Sequence, residues 1–426
     1  MIVKCRSSLA IKKVWQKKFA LMVIYLINGL FYPKYKTLYS VFKTILLKIS
    51  ISFVRMALLI ICFSLFVIYA LLILFYWQSW KAIPEYIPSV LLPSIKISVI
   101  IPARNEEENI GQLLQALQEQ TYPSTLFEVI VVDDHSTDGT AAIVQQYPSV
   151  KLLQLKEDGI NSYKKKAIET GIAAATGELI VTTDADCLPS KDWLKLIVAF
   201  KEEKQSVFIA APVVINCNSS VVQMFQAMDF MVLQGITGAA VYKKKMSMCN
   251  GANLAYERKA FYDVNGFSGV DHIASGDDML LMHKIWKQYP DKVHYLKSKE
   301  AIISTAPTKT WKAFFNQRIR WASKATGYDD KRIFAVLLLV YLFNLSFLVL
   351  AVAGFFYHHY WLYLTGLWVG KTIIEIPFFI SLANFFNKQW AIKLFFFFQP
   401  VHILYTIVSG LFGQFGRYEW KGRKVS

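Results

Sequence analysis

The sequence predicts an α/β domain on a mainly parallel, Rossmann-like sheet, flanked by transmembrane helices. Three observations carry that reading. Between residues 96 and 183, short apolar runs alternate with segments of helical spacing. Those runs are nearly continuous rather than alternating, as in strands covered on both faces. Outside this region, the segments 57–77, 333–356 and 360–383 each offer the roughly 20 apolar residues that about 30 Å of hydrocarbon requires.

The elements follow in order. Residues 96–101 form a β-branched run and predict the first strand. Ile110, Leu113, Leu114 and Leu117 recur at helical spacing within 107–120. A second strand is expected at 127–132, then a helix to Gln146 capped by Asp138 or Thr137. A third strand at 150–155, a helix at 163–175 and a fourth strand at 178–183 complete the alternation. Ligands of such sheets sit at the carboxyl ends of the strands. Three polar clusters fall there: 102–106, 133–138 and 184–186. The second half, 205–330, reads as less regular, with helical character at 279–286. Residues 310–325 are amphipathic and rich in Trp, Phe and Arg, which predicts a helix at the membrane surface. A fourth apolar segment, 391–413, contains Lys393, Pro400 and His402 and is expected to span, to re-enter or to lie in the interface.

The formal charge is +17, but its distribution argues against nucleic acid. No residue before Glu85 is acidic, and basic residues flank the apolar segments, as at Lys331-Arg332 and Lys421-Gly-Arg-Lys424. Such clusters mark topology and attraction to anionic lipid. No helix-turn-helix, zinc-finger or RNA-binding signature is present. The five cysteines are scattered, with neither metal-ligand nor disulfide spacing.

The expected organisation is a basic N-terminal extension at 1–55, a transmembrane helix at 56–80 and a linker with three prolines at 81–95. A catalytic domain at 96–330, a membrane region of two or three apolar segments at 331–416 and a basic tail at 417–426 follow. With a cytoplasmic domain, a single first crossing would leave the basic extension outside, against the positive-inside tendency. Two resolutions are expected: residues 19–32 form the first arm of a membrane hairpin, or the physiological start is Met56.

Asp184-Ala-Asp186 is the sharpest local signal. Two carboxylates one residue apart at a strand end can share a hard divalent cation and leave its other positions to phosphate and water. Read alone, such a pair is more often a solvated turn. Six further motifs stand in order around it: Ile97-Ser-Val-Ile-Ile-Pro-Ala-Arg-Asn-Glu106, Val131-Val-Asp-Asp-His-Ser-Thr-Asp138, Lys164-Lys-Lys-Ala-Ile-Glu-Thr-Gly171, Asn250-Gly-Ala-Asn253, Gly276-Asp-Asp-Met-Leu280 and Gln317-x-x-Arg-Trp321.

With these motifs the chain resembles the membrane-bound family 2 glycosyltransferases over about residues 96–325. The resemblance implies a GT-A fold and an inverting transfer of sugar from a nucleotide-diphosphate donor, a UDP-sugar, with Mn2+ or Mg2+. It implies that Pro102, Ala103, Arg104 and Glu106 border base and ribose, with Arg104 where the family often has an aromatic residue. Asp134 is expected to accept a uracil N–H, with Asp133 and Asp138 as competitors. Lys164 is expected to reach the diphosphate, although Tyr163 replaces the family's glycine and leaves the choice within the Lys triplet open. Asp184 and Asp186 are the expected metal ligands, Asp184 also facing the ribose. Asp278 is the expected general base, preceded by Asp277 where the family commonly has Glu. Gln317, Arg318, Arg320 and Trp321 are expected to close the site. The acceptor is expected to be lipid-linked, amphipathic or a polysaccharide at the inner membrane, with the catalytic domain cytoplasmic in a multi-pass protein. Alternatives are a polyprenyl-phosphate glycosyltransferase, or a non-catalytic scaffold or transporter in which Lys371 and Glu375 mark a buried path.

Overall fold

The computed structural model describes residues 36–88, 94–217, 220–246, 248–271, 273, 276–323, 330–413, 418–420 and 423–425. The membrane arm expected at 19–32 lies outside the described residues, as do 414–417, 421, 422 and 426 of the C-terminal end. The chain divides into two compact units at Leu65 and Phe66.

The first described element is helix α1, Lys36–Ala82. It runs unbroken through Met56, and its apolar stretch is longer than expected, with Ser52–Ala82 long and apolar enough to cross a membrane. Its earlier residues, such as Val41, Leu47 and Phe53, are exposed apolar side chains.

Then come β1 (Ile97–Ala103), α2 (Ile110–Gln118), β2 (Phe127–Asp133), α3 (Thr140–Gln145), β3 (Val150–Gln154), α4 (Tyr163–Ala173) and β4 (Leu179–Thr182). This is the expected alternation. The second half is more regular than its sequence suggests: β5 (Cys187–Leu188), α5 (Trp193–Lys204), β6 (Phe208–Ala210), β7 (Val213–Ile215), α6 (Val221–Tyr242), β8 (Leu254–Glu257), α7 (Arg258–Asp263), α8 (Asp277–Gln288), β9 (Val293–Tyr295), β10 (Ile303–Thr305) and α9 (Trp311–Ala322). Strands of two to four residues carry too few positions for a pattern to stand out. Helix α6 is buried on most of its circumference, so no polar stripe reveals its period.

The main sheet has the order β3-β2-β1-β4-β8-β6-β9. All of its strands are parallel except β8, which is antiparallel to both β4 and β6. Register places the site. Ala103 pairs with Asp133, Asp133 with Gln154, and Ile100 with Thr182, so the polar clusters after β1, β2 and β4 emerge side by side. Because β8 runs the other way, its beginning lies at the end of β4, with Leu254 opposite Thr182. Residues 250–253 therefore join the same edge. A small sheet, β5-β10-β7, extends the domain beside them. The core lies between the sheet and its helices, with Val99, Ile101, Val131, Val181, Leu113, Leu117, Trp193 and Ile197 all buried.

Three further helices follow: α10 (Lys331–Phe356), α11 (His359–Phe385) and α12 (Trp390–Gly413). Together with α1, four helices among the described residues are long and apolar enough to cross a membrane. The chain closes in a hairpin, β11 (Tyr418–Trp420) with β12 (Arg423–Val425).

Candidate active site

The polar clusters open onto one cavity of about 1080 Å3. Pro102, Ala103, Arg104, Glu106, Asp134, Lys164, Asp184, Asp186, Asp278, Gln317, Arg320 and Trp321 all line it. Residues more than 200 positions apart are thus brought to one surface by the sheet register and by the return of α9.

The end of β1 is fixed by its neighbours. Arg104 donates through Nη1 to the carbonyls of Asp134 (2.7 Å) and His135 (2.9 Å), which sets its guanidinium at the cavity wall. Glu106 is tethered twice, its N–H donating to Thr140 Oγ1 at 2.7 Å and its Oε2 accepting from Asn109 at 2.8 Å. In the acidic cluster after β2, Asp134 lines the cavity, and His135 Nδ1 lies 3.1 Å from its Oδ1. Its two competitors do not line the cavity. Asp138 accepts from Thr140 N at 3.0 Å and Glu107 N at 3.2 Å and so ties the start of α3 to the β1 loop. Asp133 is buried, and its Oδ1 has no hydrogen-bond partner.

The three lysines that begin α4 have three environments. Lys164 reaches Asp184 Oδ1 at 2.6 Å and Asp277 Oδ2 at 3.3 Å inside the cavity. Burial acts to lower its pKa, but Asp184 and Asp277 overcome it and hold the ammonium above its ordinary value. Lys165 is buried and donates to the carbonyls of Val270 (2.6 Å) and Ile273 (2.7 Å). Lys166 turns outward to Glu157 at 3.3 Å.

Asp277 and Asp278 stand in the first turn of α8, where the helix dipole favours negative charge. The turn before them needs Gly276, whose φ is +85°. Asp278 accepts from Gly251 N (3.1 Å) and Met279 N (2.8 Å), which aims its carboxylate into the cavity. A Cβ at Gly251 would lie 3.0 Å from Asp277 Oδ2 and 3.4 Å from Lys164 Nζ, so a side chain there would crowd both groups. Its partner in the motif, Asn253, is fully buried and bonds Pro212 O, Ala301 O and Trp193 Nε1. In the Asn250-Gly-Ala-Asn253 stretch, Gly251 thus orients Asp278, the first three residues line the cavity, and Asn253 ties the stretch to the domain core.

Among the described residues no group of three or more His, Cys, Asp or Glu forms a metal cluster. Asp184 and Asp186 supply two carboxylates on the cavity wall. Two hard oxygen donors with open cavity beside them fit a Mg2+ or Mn2+ ion that takes its remaining ligands from phosphate and water.

One expectation for α9 is corrected. Arg318 does not close the site, since its side chain is 3% exposed and points away from the cavity. Its Nε donates to Asp229 Oδ2 at 3.0 Å and its Nη2 lies 2.7 Å from the same oxygen. Its guanidinium lies 4.1 Å from the Trp321 ring and 4.7 Å from the Phe314 ring. Tyr405 of α12 donates to the other oxygen of Asp229. The helix alternates, so Gln317, Arg320 and Trp321 line the cavity while Arg318 anchors them.

Sequence reasoning missed other lining residues. Asp158, Gly159, Ile160, Asn161 and Tyr163 form a wall beside Lys164, with Tyr163 OH donating to Asp158 at 2.8 Å and accepting from Gly159 N at 2.9 Å. The tyrosine in place of glycine was the only signal. The contribution of α6, through Phe230, Leu233 and Thr237, had none.

Residues 98–264 match the family described as Glycosyl transferase family 2. The chain is 30% identical over 234 residues to "Probable glycosyltransferase YdaM" of Bacillus subtilis, covering 53% of this chain and 54% of that protein. It is 35% identical over 130 residues to "Beta-monoglucosyldiacylglycerol synthase" of Synechocystis, covering 28% of this chain and 27% of that protein. The chain thus spans about half or less of the length of these relatives. Among solved structures, a mannosyltransferase of Pyrobaculum calidifontis in complex with GDP-Man and Mn2+ superposes with a TM-score of 0.54 at 21% identity. That match covers 83% of this chain and 98% of the other, and it is a likeness of fold.

Proposed function

The central domain of this chain belongs to glycosyl transferase family 2, and on that premise we propose that the protein moves a sugar from a nucleoside-diphosphate donor to a hydroxyl acceptor at a membrane. The convergence of Lys164, Asp184, Asp186 and Asp278 on one cavity carries this reading. Pro102, Ala103, Arg104 and Glu106 border the base and ribose, and Asp134 accepts a uracil-type N–H. The ammonium of Lys164 meets the diphosphate. A Mn2+ or Mg2+ ion held by Asp184 and Asp186 would neutralise the departing phosphates as a Lewis acid.

Asp278 performs the proton transfer. Its orientation by Gly251 N–H and Met279 N–H supports its role as the base that takes the acceptor proton. The acceptor oxygen attacks the anomeric carbon from the face opposite the leaving phosphate, so the configuration inverts. Gln317, Arg320 and Trp321 form the wall that keeps water from the reacting centre.

The placement proposed is the inner membrane, with several crossings and a cytoplasmic catalytic domain. Lys331 and Arg332 at the start of α10 support it, as basic residues favour the cytoplasmic side. The contacts of α12 support two C-terminal crossings, by α10 and α11, and an α12 that returns to the domain. Its first residue, Trp390, packs against the domain core, and its last, Gly413, lies against Ala322 of α9.

The test is sugar-nucleotide turnover by purified protein. Asp278→Asn is expected to lower transfer about 100- to 10,000-fold, the usual contribution of a positioned base. Asp186→Ala is expected to remove the response to added Mn2+ or Mg2+. Wild-type rates in both variants would overturn the mechanism.

A further inference from the structure

The cavity is lined by two kinds of side chain. Asp134, Lys164, Asp184, Asp186 and Asp278 are charged; Ile215, Phe230, Leu233, Met248, Met279 and Trp321 are apolar. Helix α6 supplies Phe230 and Leu233 of the apolar set. Gln226, Phe230, Leu233, Gln234 and Thr237 follow at steps of one, three or four residues and occupy one helix face.

Several polar groups of that face are engaged within the protein. Gln226 donates to Thr308 O at 3.0 Å and accepts from Thr308 N at 3.0 Å. Gln234 Oε1 accepts from Val213 N at 3.1 Å, and Thr237 Oγ1 donates to Leu233 O at 3.0 Å. Phe230 and Leu233 leave hydrocarbon on that face for a ligand. Elsewhere on its circumference α6 packs on the membrane-length helices. Gly235 leaves room for Leu382 and Phe378 of α11, where a Cβ would come within 2.4 and 2.9 Å. The Phe225 ring meets Phe398 and Tyr405 of α12 at 5.5 and 5.6 Å. The same helix thus walls the cavity and seats the apolar helices. At about 1080 Å3 the cavity stands at the upper end of the roughly 300–1,000 Å3 usual for a ligand site.

We infer that the apolar lining is the acceptor subsite and that it takes a hydroxyl-bearing lipid, whose alkyl part lies on α6, rather than the end of a polysaccharide. The inference rests on the glycosyl-transfer reading above and narrows it. A polysaccharide presents hydroxyls on every edge, and Leu233, Met248 and Met279 would leave them buried without partners. Alkyl carbon is stabilised by the same surface. In the reaction a bond forms between the lipid hydroxyl oxygen and the anomeric carbon. The bond from that carbon to the β-phosphate oxygen breaks, the nucleoside diphosphate leaves with the electron pair, and the hydroxyl proton passes to Asp278.

The full chain in nanodiscs, supplied with a panel of radiolabelled sugar nucleotides, is offered dioctanoylglycerol and soluble cello-oligosaccharides as competing acceptors. Label is expected in the organic phase. Leu233→Gln is expected to raise the KM for dioctanoylglycerol about ten-fold while calorimetric affinity for UDP and Mn2+ stays within about two-fold. Leu233→Met, which conserves volume and polarity, is expected to keep the wild-type KM. Label confined to oligosaccharide or polymer overturns the lipid assignment, as does a KM unmoved in Leu233→Gln. A wild-type protein that neither binds UDP nor turns over any donor removes the glycosyl-transfer reading itself, and the lipid assignment with it.

Discussion

Three adjacent lysines show how much a single helical step decides. Successive residues on a helix point about 100° apart, so Lys164, Lys165 and Lys166 meet the cavity, a loop's carbonyls and solvent respectively. Lys164→Met is therefore expected to weaken UDP binding about ten-fold or more, the scale of one charge-assisted hydrogen bond. Lys165→Met removes the ammonium donor from the Val270 and Ile273 carbonyls, of which Val270 O keeps the Ile273 N–H, and is expected to lower stability by about 1–3 kcal/mol. Lys166→Met is expected to stay within about 0.5 kcal/mol, as for ordinary surface substitutions. Calorimetric titration and thermal melting of the three variants separate these roles. A second residue-scale prediction concerns acid. Burial, helped by the ammoniums of Lys244, Lys292 and Lys204, pushes the His294 imidazole down from 6.5 to about 4. The unfolded chain then binds a proton below pH 6.5 that the folded chain refuses until about pH 4. The associated stability is complete above pH 6.5 and is lost as pH falls towards 4. His294→Asn is expected to flatten that limb in melting temperatures taken across the range.

At the scale of elements, α9 is positioned from behind. The pair of Arg318 and Asp229 is buried, and it joins α9 to α6 and, through Tyr405, to α12. Removing one partner of a buried pair strands the other charge at a cost of about 3–5 kcal/mol. Arg318→Met is expected to lower stability by about that much, and Arg318→Met with Asp229→Leu to recover a large part of it; chemical denaturation of single and double variants measures both. The same logic governs the ionisable pair between the membrane-length helices. Lys371 and Glu375 do form an intrahelical pair at 2.7 Å, and Gln399 of α12 bonds both. Tyr69 of α1 also donates to Glu375. The network closes on itself across three helices, as an interhelical tie does, and its residues are not among those that line the active-site cavity.

Within the larger unit, the catalytic domain is fastened to the helices that flank it. Lys297, just beyond β9, donates to the carbonyls of Trp80 and Ile83 at 3.0 Å each and so caps the end of α1. Its ammonium also lies 4.4 Å from the Trp80 ring, which meets Phe385 at the end of α11. The ends of α1 and α11 thus meet at the domain, as do both ends of α12. On the two-crossing arrangement proposed above, a cysteine placed at Ser426 is expected to react with an impermeant maleimide in inside-out vesicles and not in intact cells. Labelling from outside would overturn that arrangement.

The sequence by itself determined the first half of the sheet, the four apolar helices and twelve of the residues that line the cavity. Those features are local: near-continuous apolar strands, helical spacing at Ile110 to Leu117, and short motifs at strand ends. It said nothing of α6 as a cavity wall, because a helix buried on most sides carries no polar stripe. It did not separate Arg318 from Arg320 or Lys164 from its neighbours, because motif spacing carries no direction. Tertiary structure decided those points. Direction follows from which face of each helix is covered, and the antiparallel insertion of β8 between two parallel strands set which loops meet Asp278.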